Sequence, residues 1–424
     1  MSGYLKRIFP IFLAVTLFVT VVMLCCIRNS DNKIEMSPAE TTVNNVVITE
    51  NDINKNHVFH EGEMRGIWVP YFSISNGNSS MSEDEFKEHF DNIIKTATDN
   101  GMNTLFVHVR SHCDALYNSE IFPYSSVFTG EQGKSPDYDP LKYMVEASHK
   151  AGLEFHAWIN PYRVRTNDNP TELSEKSPCY KWLNDSDTDN DRNIIEYDGD
   201  LYLNPATSDV RSLIIEGVRE LVQNYDIDGI HLDDYFYMFT ESEFDEVEYN
   251  KYVGGISEDC TPLTLTEWRR ANVNVLISGI YATVKNIDKE VLFGISPQGN
   301  MENDMNMGAD IYSWCSQSGY VDYIAPQIYY NSENPLLPYE ETLDSWRSII
   351  TNDSIKLYIG LALYKAGGTE DDGTWQNSDD IISKQIEYAR TCSTDGFILY
   401  SWEYLQNEQT AAEVANIENI LEET

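Results

Sequence analysis

Eight short apolar runs recur along this chain, and each adjacent pair is separated by enough sequence for a helix or a long loop. The runs are 65–72, 104–110, 154–160, 229–233, 291–296, 323–329, 357–363 and 396–402. They are continuous rather than alternating and rich in Ile, Val and aromatic residues, the pattern of strands covered on both faces in a parallel sheet. The segments between them carry helix signals. Ser82-Glu83-Asp84-Glu85 reads as an N-cap with a capping box, and Asn100-Gly101 as the stop of the same helix. Residues 208–224 and 266–287 are amphipathic at helical spacing. Eight strands alternating with helices predict an α/β protein, a (β/α)₈ TIM barrel. Long insertions at 111–141, 161–203, 236–265 and 364–380 each follow a strand, where barrels build their active sites. A doubly wound open sheet is the alternative, but no Gly-rich phosphate loop follows the first strand. No internal repeat of solenoid length occurs.

The first 61 residues have a different character. Lys6 and Arg7 precede an uncharged apolar run at 8–27, and a run of about 20 residues matches a bilayer core. This predicts a short cytoplasmic N-terminus at 1–7, a transmembrane anchor or signal segment at 8–27, a flexible polar linker at 28–61 and a barrel at 62–424. The barrel is then extracytoplasmic, held at the cell membrane or, if the segment is cleaved, secreted or lipid-anchored. The net charge of −40 disfavours nucleic acid as a partner. The seven cysteines lack metal-ligand spacing, and the five beyond the apolar run read as mostly buried free thiols.

In a barrel, polar residues at the C-terminal ends of the strands face one mouth. Six of the runs end this way. Alternation places His231, Asp233 and Tyr235 on one face of the fourth run, so Asp233 points into the mouth, and Asp234 stands where strand gives way to loop. Glycosidic cleavage needs a proton donor and a second carboxylate. Asp233, Asp234 and Asp114 are the catalytic candidates, with Glu403 a further possible partner. Arg110, His112, Asn160, Tyr162, Arg163, His231, Tyr235, Gln298, Gln327, Tyr329 and Trp402 are the candidates for binding sugar hydroxyls and ring faces. No His-x-His or His-Glu-x-x-His occurs, so neither a metal nor any other cofactor is expected.

Several of these stretches together resemble the glycosyl-hydrolase-like family 10 barrels. They are Met64-Arg65-Gly66-Ile67-Trp68-Val69, Asp114-Ala115-Leu116-Tyr117, Tyr138-Asp139-Pro140-Leu141, His156 through Arg163, and Asp233-Asp234-Tyr235-Phe236-Tyr237. The resemblance runs from about Met64 to Tyr404. It implies an exported or anchored catalytic barrel acting on glycans, with peptide-free peptidoglycan strands as one substrate class. Carried over by position, it implies functional roles for Arg110, Asp114, Asn160, Arg163, Asp233 and Asp234. Met238 stands where the family usually has Pro. The expected activity is therefore glycoside hydrolysis of a cell-envelope or other extracellular polysaccharide. A non-catalytic carbohydrate-binding barrel and a metal-dependent polysaccharide deacetylase or esterase are the alternatives from other classes.

Overall fold

The computed structural model describes residues 55, 57–58, 60, 62–75, 77, 80–167, 169–234 and 236–422. The expected anchor at 8–27, most of the expected linker and Tyr235 lie outside the described residues. Among the described residues, no helix is long and apolar enough to cross a membrane.

The eight apolar runs become eight strands: β1 (Met64–Val69), β2 (Thr104–Arg110), β3 (Glu154–Ile159), β4 (Gly229–Leu232), β5 (Leu292–Ile295), β6 (Tyr323–Ile324), β7 (Lys356–Leu361) and β8 (Gly396–Leu399). All pair in parallel with their sequence neighbours, and β1 closes the barrel on β8 through Ile67 opposite Leu399. A helix follows each strand: α1 (Glu83–Asp99), α2 (Pro140–Lys150), α3 (Ser208–Asn224), α4 (Leu265–Ile287), α5 (Ile311–Ser316), α6 (Tyr339–Ile349), α7 (Ile381–Thr391) and α8 (Ala411–Glu422). The fold is a TIM barrel.

Local chemistry sets the helix ends. Ser82 Oγ accepts the Glu85 amide while the Ser82 amide donates to the Glu85 carboxylate at 2.8 Å, completing the capping box of α1. Thr264 and Glu267 do the same for α4. The chain leaves α1 through Gly101, whose φ of +75° a side chain would disfavour. Several strands stop short of their apolar runs. β6 keeps two residues because Pro326 has no amide to donate, and Gln327 makes only single bridges to Gln298 and Gly360. The 161–203 insertion carries a helix (Pro178–Asn184) and an antiparallel sheet of Arg163–Arg165, Asp200–Leu203 and Ile194–Tyr197.

The barrel interior is aromatic. Trp68, Phe106, Trp158, Tyr323, Tyr358 and Ile398 pack together inside it, with His156 and His231 against the Phe106 ring. Small residues on neighbouring strands make room. A Cβ at Gly294 would lie 2.1 Å from the Tyr323 ring, so β5 must carry glycine there. Part of the stretch read as linker is bound to the barrel floor. Lys55 Nζ donates to Asp288 at 2.9 Å, the Val58 amide to Asp228 at 3.0 Å and the His60 amide to Glu154 at 3.0 Å. The five described cysteines are free, and the buried Cys113 and Cys179 sulfurs lie 3.5 Å apart.

Candidate active site

Where β3 ends, the chain turns at Asn160. Its side-chain carbonyl accepts the amides of Tyr162 (3.2 Å) and Arg163 (2.8 Å), which leaves its NH₂ as the only group free to face β4. That NH₂ reaches both oxygens of Asp233, at 3.2 and 3.1 Å. The indole of Trp158 adds a donor at 3.1 Å to Oδ2, and the same indole is stacked at 3.8 Å on the imidazole of His108. Asp233 is therefore held by groups whose own orientation is fixed.

Asp233 is buried, and burial pushes its carboxyl up, with the charge of Asp234 adding to the rise. Arg163, Trp158 and Asn160 oppose this, and the balance stands at about 7. Asp234 turns back toward the mouth through a tight turn in which its carbonyl accepts the Phe236 amide at 3.1 Å. Its Oδ1 accepts Gln327 Nε2 at 3.2 Å, and Gln327 is fixed by donating to the Ser296 carbonyl at 3.0 Å. Gln298 also hydrogen-bonds Asp234, and burial raises this carboxyl as well. The two acids share the floor of a cavity of about 230 Å³. Trp68, Trp158, Tyr329, Tyr364 and Tyr400 line it, with the Trp68 and Tyr400 ring centroids 6.0 Å apart. A carboxyl pushed up to about 7 beside a second acid whose charge helps raise it, in an aromatic-lined cavity, is an arrangement suited to acid-assisted cleavage of a sugar bond.

The structure brings many of the expected residues together. Asp233, Asp234, Gln327 and Tyr329 line the cavity, and Asn160 and Gln298 bind its acids. The charge of Arg163 lowers both acids and also His108 and His112. His112 stands beside the Tyr71 ring, with Nδ1 2.9 Å from Ser111 Oγ and Nε2 3.2 Å from Thr166 Oγ1. Burial and Arg163 push its imidazole down to about 3, so it stays neutral. His231 lies deeper, inside the barrel.

Other expected residues face elsewhere. A bulge between His108 and Arg110 breaks the alternation of β2, so Arg110 is turned out of the lumen. Its guanidinium sits over the Phe122 ring at 4.5 Å and against α3, where a Cβ at Gly217 would come within 2.4 Å of it. Asp114 is buried and closes its own loop by accepting the His112 amide at 3.1 Å. Tyr162 is buried, and its carbonyl accepts the Leu203 amide of the small sheet at 2.7 Å. Trp402 opens a 3₁₀ turn, Trp402–Leu405, instead of continuing β8, so its ring packs on His89 of α1. Glu403 accepts hydrogen bonds from Ser73 and Ser401 at the rim.

Five cavity residues are absent from the sequence-based candidates: Trp68, Trp158, Ser296, Tyr364 and Tyr400. Four were within reach of inward-facing alternation applied lower on β1 and β3 and at the ends of β5 and β8. Tyr364 lies in a 3₁₀ turn after β7, where no periodicity marks it. Among the described residues, no three His, Cys, Asp or Glu side chains are grouped to hold a metal ion.

Comparison with known proteins shows the family to which the chain belongs. The chain is 34% identical over 355 residues to glycosyl hydrolase YngK of Bacillus subtilis (strain 168), covering 77% of this chain and 66% of that relative. It is 32% identical over 393 residues to glycosyl hydrolase DigH of Escherichia coli (strain K12), covering 84% of this chain and 87% of DigH. The glycoside hydrolase domain of PgaB (BpsB) from Bordetella bronchiseptica shares the fold, with a TM-score of 0.53 at 13% identity, over 84% of this chain and 98% of that domain. The family described as glycosyl hydrolase-like 10 matches residues 63–377, most of the barrel, and the chain belongs to that family.

Proposed function

We propose that the protein is an extracytoplasmic glycoside hydrolase that cleaves a cell-envelope glycan, with peptide-free peptidoglycan strands as the first substrate to test. The observation that carries this reading is the Asp233–Asp234 pair, one carboxyl holding its proton to about 7, in an aromatic-lined cavity. Asp233 is the proton donor. Among the described residues its Oδ1 has only the longer Asn160 contact, and it is the oxygen placed to carry the proton, which passes to the glycosidic oxygen as the bond breaks. Asp234, whose charge raises Asp233, is held by Gln327 and Gln298 and stabilises the positive charge that builds on the anomeric carbon until water adds there and passes its proton to the Asp233 carboxylate. Trp68, Trp158 and the three tyrosines offer apolar faces on which sugar rings stack. Placement outside the cytoplasm rests on the uncharged run at 8–27 behind Lys6 and Arg7.

The test is product analysis by mass spectrometry. The full chain and Asp233→Asn are incubated with peptide-free glycan strands. New reducing ends from the wild type alone support the reading. Strands that bind and stay intact refute hydrolysis of them and leave a carbohydrate-binding barrel.

A further inference from the structure

A chain of polar contacts crosses the barrel interior beneath the cavity. The Trp68 indole Nε1 lies 3.2 Å from His231 Nε2. His231 Nδ1 and His156 Nδ1 each lie 3.0 Å from the hydroxyl of Tyr323. His156 Nε2 faces Glu154 Oε2 at 3.5 Å, a charge contact without hydrogen-bond geometry. Trp68, His231, His156 and Tyr323 are buried, so water does not compete for these groups.

Donor and acceptor chemistry fixes the protons. An indole N–H can only donate, so His231 Nε2 is a bare acceptor. A neutral imidazole then carries its proton on Nδ1, which donates to the Tyr323 oxygen. A protonated His231 would set two N–H groups against each other. The Tyr323 hydroxyl donates onward to His156 Nδ1, which leaves the His156 proton on Nε2, toward Glu154. The titratable groups that face His231 are Tyr323, His156 and His108, and the Phe106 ring packs against it.

We infer that His231 is a positioning residue that pins the Trp68 indole as the rigid inner wall of the cavity. With its only polar atom directed down into the barrel, Trp68 presents carbon surface alone to the substrate. Gly360 on β7 leaves the room the ring needs, since a Cβ there would lie 2.9 Å from Trp68 Cη2. The role is recognition of a sugar face rather than proton transfer.

Two measurements test this. The first does not depend on activity. In the full chain labelled with ¹⁵N-histidine, NMR should show His231 neutral with its proton on Nδ1, unchanged between about pH 5 and 8. Trp68→Phe should release the His231 tautomer to a mixture. A proton on His231 Nε2, or titration of His231 in that range, overturns the inference. The second is a double-mutant cycle on glycan cleavage and rests on the function proposed above. His231→Leu should raise KM about fivefold, the worth of one neutral hydrogen bond, with kcat nearly unchanged. The same substitution should add nothing in a Trp68→Phe background, and His231→Gln, which keeps an acceptor and a donor, should restore KM. Equal losses in both backgrounds overturn the inference. If no variant cleaves, the function reading fails and the tautomer measurement alone decides.

Discussion

Replacing Asp233 by Asn should sharply reduce catalysis and change stability with a sign that depends on pH. The folded carboxyl stands at about 7 against an ordinary 3.8, chiefly through burial. Because the folded state holds this proton more tightly than the unfolded state, the group's contribution is fully present below the unfolded pKa. It is lost as pH rises through the folded value. The full span is about 4 kcal/mol, an upper bound because Asp234 titrates nearby. Asparagine removes that pH-dependent loss. It also sets a side-chain NH₂ among the donors of Asn160 and Trp158, which costs about 1–3 kcal/mol at every pH. At about pH 3, below the unfolded pKa, the variant should therefore be less stable than the wild type by that cost. At about pH 8 it should be more stable, by roughly 1–3 kcal/mol net. Urea unfolding of both proteins at the two pH values reads this directly. Cleavage should fall by roughly 10²–10⁴-fold, the usual worth of a general acid. A stability difference of the same sign and size at both pH values would refute the assignment of a raised carboxyl to Asp233.

Asn160→Ala removes the NH₂ that reaches both Asp233 oxygens and favours the ionised form, so the upper limb of the kcat/KM profile should move to higher pH. The same change frees the Tyr162 and Arg163 amides and should cost about 1–3 kcal/mol in urea unfolding. Tyr400→Ala should weaken glycan binding, because Tyr400 lines the cavity, whereas Trp402→Phe should leave kcat/KM within about threefold while lowering stability, a contrast read from the two variants' kinetics. Arg269 forms a buried fork onto Asp245 at 2.8 and 2.7 Å, so Asp245→Ala should destabilise the chain by about 3–5 kcal/mol with little effect on KM.

What the sequence made legible follows from how local each signal is. The capping box of α1 is a four-residue pattern whose outcome depends on nothing distant, and it formed. The strands were legible because burial on both faces leaves a continuous apolar run, but their ends were not. Pro326 truncates β6, and the chain after Leu399 leaves the strand direction that would have carried Trp402 inward. Asp233, just past β4, lines the cavity because alternation from His231 to Asp233 is unbroken, and Asp234 follows it where the strand gives way to a turn. Arg110 shows the limit of the same rule. One bulge after His108 inverts the face of every later residue on β2, and no composition marks it. The bulge has a consequence for the site. It turns a cation away from Asp233 and buries it over Phe122, leaving Arg163, from the following strand-end loop, as the positive charge acting on the acid pair. A second guanidinium facing the cavity would lower the Asp233 carboxyl, opposing the burial and the Asp234 charge that raise it.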